Sequence, residues 1–238
     1  MDKLADFENP VVRGTADRLV VSSNSVREKL QCLFRYVRDE ITFEFPPEGD
    51  FVKASDTIQR GYGQCNTKAA LLLALCKACD IPAKIHFSLI SKDIQKGFFT
   101  GLAYWLMPNE ISHSWIEVKV DERWRRIDTF INDRELYQAA KEELNRRGWQ
   151  TGFSLALSNG DVSPDLNLDS EAFQQMAAVT SDHGTWDDPA DYYASPMYRN
   201  RPGLLRLWAY RVMIDSVNSR VRKLRSSATA IPGNCATG

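Results

Sequence analysis

The run Gly61-Tyr62-Gly63-Gln64-Cys65-Asn66-Thr67-Lys68-Ala69-Ala70-Leu71-Leu72-Leu73-Ala74-Leu75 limits the possible folds of this chain more than any other stretch. Two glycines interrupt what precedes them, and alanine and leucine, strong helix formers, follow. Leu72, Leu73, Leu75 and Cys76 make the helix apolar on most sides. Such a helix belongs in the centre of a molecule rather than on its surface. Its expected extent is Cys65 to about Cys79, with Asp80-Ile81-Pro82 as the stop. Cys65 stands at its first turn, where unpaired backbone N–H groups point outward and the helix field is positive. That field favours thiolate over thiol, and the thiolate is the nucleophile.

The chain of 238 residues is long enough for one full core, or one core with a sizeable extension. A formal net charge of −1 gives no electrostatic case for nucleic acid or for an acidic substrate. The opening Met1-Asp2-Lys3-Leu4-Ala5-Asp6-Phe7 has no basic-then-apolar leader pattern. No stretch approaches roughly 20 uninterrupted apolar residues, so no transmembrane segment is expected. Five cysteines, an odd number, argue against a disulfide framework and for a reducing, cytoplasmic setting.

Around the central helix the expected elements are these. Residues 1 to 23 show no clear period and read as an arm laid on the domain. Ser25-Val26-Arg27-Glu28 has capping-box spacing, and Val26, Leu30, Leu33, Phe34, Val37 and Ile41 continue a helix to about residue 40. Thr42 to Phe45 is extended, 46 to 50 a turn, and Ser55 to Arg60 a short helix. Ala83 to Ser91 reads as a strand. Residues 92 to 111 form an unusually apolar connection, with Phe98 to Pro108 read as a helix packed on the core or as a lid. His113 to Val120 alternates, placing His113, Trp115, Glu117 and Lys119 on one face and Ser114, Ile116, Val118 and Val120 on the other. Asp121-Glu122-Arg123 connects it to a second strand, Trp124 to Phe130. Asn132-Asp133-Arg134-Glu135 opens a helix that Gly148 ends. Residues 149 to 169 read as loop, 170 to 180 as helix and 186 to 202 as irregular. An amphipathic helix over 203 to 225 is expected to dock on its own domain with a solvated basic face, a membrane-surface or partner role being the alternative. Residues 226 to 238, with Cys235, read as a frayed tail.

The hairpin sets His113 and Asp128 side by side, downstream of Cys65. In order along the chain, Gly63-Gln64-Cys65, Ile81-Pro82-Ala83-Lys84, His113-Ser114-Trp115-Ile116-Glu117, Trp124 and Asp128 resemble the core of the transglutaminase-like superfamily, of the small free-standing bacterial type. That family shares its catalytic arrangement with papain-type peptidases. The resemblance covers about residues 50 to 132. Two residues depart from the pattern: Asp80 where glycine is usual, and Glu122 where Asp-Gly is common. Both fall in turns and bear on backbone shape more than on chemistry.

The resemblance implies an α+β, papain-like fold, with the Cys65 helix packed on a small antiparallel sheet. Residues 1–150 would form the catalytic core and 151–238 an extension wrapping it. It also implies the catalytic set Cys65, His113 and Asp128, with no cofactor and no metal. Cys65 would attack an acyl carbon, His113 would hold the proton as the thiolate's ion-pair partner, and Asp128 would orient the imidazole. The Cys65 N–H is a natural oxyanion donor, and Gln59 and Gln64 are side-chain candidates. The expected reaction is hydrolysis of an amide or peptide through a Cys65 thioester. The alternatives are an amide-forming or cross-linking transferase with an amine acceptor, a binding module with a vestigial triad, and a redox protein using Cys76 and Cys79. The partner would be a peptide, protein or small amide acyl donor, not nucleic acid. Cys32, Cys76 and Cys79 read as packing residues, and His86 and His183 as surface or satisfied core residues.

Overall fold

The computed structural model of the chain describes residues 2–157 and 163–229. The fold is α+β, as the sequence predicts. Helix α1 is Pro10–Val20, α2 Val26–Arg35, α3 Ala54–Arg60 and α4 Cys65–Ala78. Strands β1 (Thr42–Phe43) and β2 (Tyr62–Gly63) pair in parallel. Then come β3 (Ala83–Ser91), α5 (Gly101–Trp105), β4 (Glu110–Val120), β5 (Arg123–Ile127) and α6 (Arg134–Arg147). The hairpin β6 (Thr151–Gly152) and β7 (Leu155–Ala156) precedes β8 (Val179–Trp186), α7 (Pro189–Ala194) and α8 (Leu204–Thr229). The main sheet is antiparallel, in the order β5-β4-β3-β8.

Helix α4 packs against β3 and β4 on one side and against α1, α2 and α3 on others. Leu71, Leu72, Leu73, Leu75 and Cys76 are all fully buried with Ile85, Phe87, Ile116 and Val118. The alternation read along β4 holds, since Ile116, Val118 and Val120 enter this core. The other face of the sheet, near the start of β4, has a smaller cluster of Ile90, Ile94, Ala156 and Ala178, with Ile111 against it.

The turn before α4 explains its glycines. Gly61 caps α3 at φ +71°, a left-handed conformation that glycine adopts without penalty. Gly63 has no room for a side chain: a Cβ there would lie 2.5 Å from Thr67 Oγ1. The two departures from the family pattern also resolve into backbone shape. Asp80 has φ 57° and the β4–β5 turn has Asp121 at φ 50° and Glu122 at φ 61°. Non-glycine residues therefore hold the left-handed positions that the end of α4 and the tight β4–β5 hairpin turn require.

Several expectations are corrected. The arm over 1 to 23 contains α1, capped by Asn9, whose side chain accepts the Val11 N–H at 2.9 Å, with Val12 and Ala16 in the core. The helix expected to run to residue 40 is α-helical only to Arg35 and continues as a single π-helical segment, Tyr36–Glu40, with Arg38 buried. Residues 170 to 180 are not a helix. The Gln174 and Gln175 N–H groups bond to Asp128, a short 3₁₀ turn follows at Met176–Ala178, and the chain then joins the sheet as β8 beside β3. Tertiary pairing overrides local propensity there. The loop over 149 to 169 contains the β6–β7 hairpin, and residues 158–162 of that span lie outside the described residues. The irregular span 186 to 202 contains α7, whose cap Asp188 also accepts the Leu4 and Ala5 N–H groups at 3.0 and 3.1 Å. Strand β5 ends at Ile127, three residues early, because Asp128 turns to meet the 170s segment. Helix α8 includes residues 226 to 229 of the expected tail; the rest, with Cys235, lies outside the described residues. The apolar connection divides: Phe98 and Phe99 are buried, whereas Leu102, Trp105 and Leu106 are exposed.

Glu122→Gly should stabilise the protein by about 1 kcal/mol, because it removes a left-handed penalty of about 1–2 kcal/mol that glycine's added unfolded-state freedom only partly offsets. The substitution also removes the exposed Lys119–Glu122 ion pair at 2.6 Å, which contributes little. Urea unfolding measures the change, and an unchanged or lower midpoint would contradict it.

Candidate active site

Cys65 is the first residue of α4 and Gln64 is its N-cap. The Gln64 N–H bonds to Thr67 Oγ1 at 2.9 Å, which fixes the entry of the helix. Strand β5 pairs with β4 only from Ile116 onward, leaving the edge of β4 before it without a strand partner on that side among the described residues. The start of α4 fills this place. Asn66 Nδ2 donates to Ser112 O at 3.4 Å, and the N–H groups of Cys65, Asn66 and Ser114 all act on the Cys65 sulfur, lowering its pKa.

Those N–H groups are the field that the sequence anticipates, but they do not prevail. Cys65 is 8% exposed, and its thiol donates to Gln64 Oε1 at 3.0 Å. Burial, then the negative charge of Asp50, push the thiol well above its ordinary pKa. The magnitudes explain the outcome. A helix terminus contributes about 0.3–1 kcal/mol, less than one pKa unit. Full burial moves a pKa by up to about 3–5 units. The described form therefore carries a protonated thiol, not the thiolate expected from the helix field alone.

Asp50, at the end of the Pro46-Pro47-Glu48-Gly49-Asp50 turn, organises the surroundings of Cys65. Its carboxylate accepts from Gln64 Nε2, from Asn66 Nδ2 at 2.9 Å and from the Tyr198 hydroxyl at 3.3 Å. Burial raises its pKa, against the pull of these three donors. Gln64 thus spans Asp50 and the thiol, its amide N–H toward the carboxylate and its carbonyl toward the sulfur. Of the two glutamines considered as oxyanion donors, Gln64 is at the thiol, while Gln59 is exposed on α3. Tyr193 and Tyr210, both raised in pKa by burial first, also feel the charges of Asp50 and Cys65. Tyr193 packs on Tyr198 at 4.8 Å and Phe51 at 5.1 Å, forming an aromatic cluster beside Asp50. Nothing in the sequence marks Asp50 or these tyrosines, because the contacts span up to 148 residues of chain.

His113 lies on β4 opposite Ser88 and is fully buried. It shares its face with Trp115, whose ring is 6.0 Å away. Neither ring nitrogen has a hydrogen-bond partner among the described residues. Burial pushes its pKa down to about 3, so the imidazole is neutral at pH 7. Asp128 follows β5 directly, also fully buried. Its two oxygens accept the Gln174 and Gln175 N–H groups, each at 2.8 Å. Burial pushes its pKa up to about 7 against these backbone donors. The fold thus brings Cys65 against the Ser112–Ser114 edge of the strand that carries His113, and puts Asp128 directly after the neighbouring strand. No hydrogen bond joins His113 to Cys65 or to Asp128 in this form.

The remaining candidates are accounted for by packing. His86 bonds to Glu117 and Asp182, each at 2.7 Å, and stacks on Trp115 at 4.2 Å. His183 meets the Tyr192 hydroxyl at 2.9 Å. Cys76 is buried in mid-helix, and Cys32, Cys65, Cys76 and Cys79 are free thiols.

A raised thiol pKa has a direct kinetic signature. Alkylation of Cys65 by iodoacetamide should accelerate about tenfold per pH unit from about pH 7 to about pH 9, because only the rising thiolate fraction reacts. Site-resolved mass spectrometry measures the rate. A plateau beginning below about pH 7 would show a preformed thiolate–imidazolium pair and contradict the geometry described.

Residues 13–129, just under half of the chain, match the family model for the transglutaminase-like superfamily. Similar solved structures include a protein named "Putative Cysteine Protease from Cytophaga hutchinsonii", 14% identical, with 80% of this chain and 46% of that chain covered at a TM-score of 0.48. A "putative protease" from Parabacteroides distasonis is 16% identical over 52% of this chain and 25% of that one, with a TM-score of 0.36. A protein named "TGase" is 14% identical over 49% and 29%, with a TM-score of 0.31. The chain spans less than half the length of each of these structures. No curated protein matches the sequence. The matched span holds Gly63-Gln64-Cys65, His113-Ser114-Trp115 and Asp128, and over it the chain is similar to the transglutaminase-like superfamily.

Proposed function

We propose that the protein is a thiol-dependent enzyme that hydrolyses an amide or peptide bond through a Cys65 thioester. The observation that carries this reading is the position of Cys65: first residue of a buried helix, with Asn66 donating to Ser112 O on the strand that bears His113, and with the N–H groups of Cys65, Asn66 and Ser114 near enough to lower the pKa of the thiol. Backbone N–H groups at a helix start suit a developing oxyanion as well as a sulfur.

In the first step His113 takes the thiol proton and the sulfur attacks the substrate carbonyl carbon. The carbonyl oxygen gains the negative charge and faces the backbone N–H groups. His113 then returns the proton to the departing amine as the C–N bond breaks, leaving the acyl group on Cys65. Water, losing a proton to His113, attacks the thioester, and the acid leaves as the thiol reforms. Asp128, one residue past the end of β5, orients the imidazole in this reading once His113 moves toward the sulfur. Turnover therefore needs an opened form in which the cover of Tyr193, Tyr198 and Tyr210 shifts and Gln64 releases the thiol. Catalytic hydrogen bonds in substrate-free enzymes are commonly long and tighten with substrate.

The acyl donor is a peptide, protein or small amide. Incubating the whole chain with a peptide-amide mixture, quenching in acid and analysing by mass spectrometry tests the reading. The expected result is an acyl adduct on the Cys65 peptide, absent in Cys65→Ala and formed about a hundredfold more slowly in His113→Ala. An adduct confined to other residues, or equal rates with and without His113, would overturn it. Adding a primary amine reveals whether water is the acceptor: release of free acid alone supports hydrolysis.

A further inference from the structure

We propose that α5 and the first half of α8 together form a docking face for an anionic lipid bilayer. The second half of α8 turns Ile214, Val217 and Val221 into the core, as an amphipathic helix should. The first half does the opposite. Leu204, Leu205, Trp208 and Val212 are 90%, 78%, 63% and 66% exposed. Leu102, Trp105 and Leu106, within and just after α5, are 69%, 72% and 61% exposed. The two helices share one side of the molecule. Arg206 lines a surface cavity of about 300 Å³ with Pro108 and Asn109, just beyond α5, and Arg220 donates to Phe98 O at 2.7 Å, just before it. Single exposed apolar residues are ordinary, whereas a group of this size with two tryptophans marks an interaction surface.

The charges select the occupant. Between Met197 and Ile214 stand Arg199, Arg201, Arg206 and Arg211 and no acidic residue, and all four arginines are exposed. Phe98 to Asn109 carries no charge, and the next residue, Glu110, is an exposed acid lining the same cavity as Arg199 and Arg206. The chain's net charge is −1, so this predominantly cationic region, four arginines to the one acid Glu110, is local rather than a general property of the chain. In a symmetric dimer through this face the same cationic rim would meet itself, which is repulsive. An anionic bilayer fits both components: tryptophan and leucine enter the headgroup boundary while the arginines stay with the phosphates. No described helix is long and apolar enough to cross a membrane, so the contact lies in the surface plane.

Co-sedimentation of the whole chain with sucrose-loaded vesicles tests this, using phosphatidylcholine alone and phosphatidylcholine with about a third phosphatidylglycerol. Binding to the anionic vesicles should be at least about tenfold tighter and weaken with added salt. Trp105→Glu and Trp208→Glu should each reduce it about tenfold, while Trp124→Glu, on β5, leaves it unchanged. Circular dichroism checks that each variant is folded. Equal binding to both lipids, no binding, or insensitivity to both α5 and α8 substitutions would overturn the proposal. A concentration-dependent dimer that Trp208→Glu dissociates, in place of vesicle binding, would assign the face to a second copy and overturn it equally.

Discussion

The enclosure of α4 governs the rest of the molecule. Every residue from Cys65 to Cys76 is buried, including Lys68. The ammonium of Lys68 donates to Arg38 O at 3.3 Å, and burial pushes its pKa down to about 7 even though Asp133 attracts its charge. A helix closed on all sides can be approached only at its ends. The functional residues must then gather at one end, and Cys65 stands at the N-terminal one. The same closure that fixes the sulfur in place also keeps it protonated.

The second level of organisation is long-range. Asp133 caps α6 through the Leu136 N–H at 3.0 Å, takes the Phe43 N–H at 3.0 Å and pairs with Arg225 of α8 at 2.8 Å. One carboxylate thus ties the last helix to the β1 segment beside the start of α4. Arg225 and its partners hold that carboxyl below the usual aspartate range, against the effect of burial. Asp188 does similar work for the amino-terminal segment, and Asp128 for the 170s segment. Each is a buried acid whose lone pairs go to backbone N–H groups far away in sequence, which suits a chain with few long elements outside α4, α6 and α8.

What was legible in the sequence was local. The capped ends of α2, α6 and the Cys65 helix, the strand from Ala83 to Ser91 and the alternation along β4 all follow from spacing within a few residues. The proposed trio of Cys65, His113 and Asp128 could be nominated because turn, helix start and hairpin each leave a short-range mark. The 170s segment carries helical composition, yet the buried Asp128 carboxylate and the free edge of β3 claim its backbone. Asp50 sits in an unremarkable turn and becomes the main acid beside the thiol only after folding. The protonation of Cys65 could not be read from motif spacing either. Two opposing effects act on it, and burial, the larger, depends on tyrosines from the far end of the chain.

Closure of this kind sets the condition for activity. In the proposed reaction the sulfur is held by Gln64 beside Asp50, and the tyrosines gathered round that carboxylate, Tyr193, Tyr198 and Tyr210, form the roof that has to lift; they belong to α7, α8 and the loop between them, not to α4. The sharpest test is the urea dependence of alkylation at Cys65 compared with Cys76, which is buried in the same helix. If the roof opens locally, Cys65 labelling should depend only weakly on urea while Cys76 follows the full slope of global unfolding. Identical slopes and rates at the two cysteines would mean that the sulfur is reached only by unfolding, and would contradict the account.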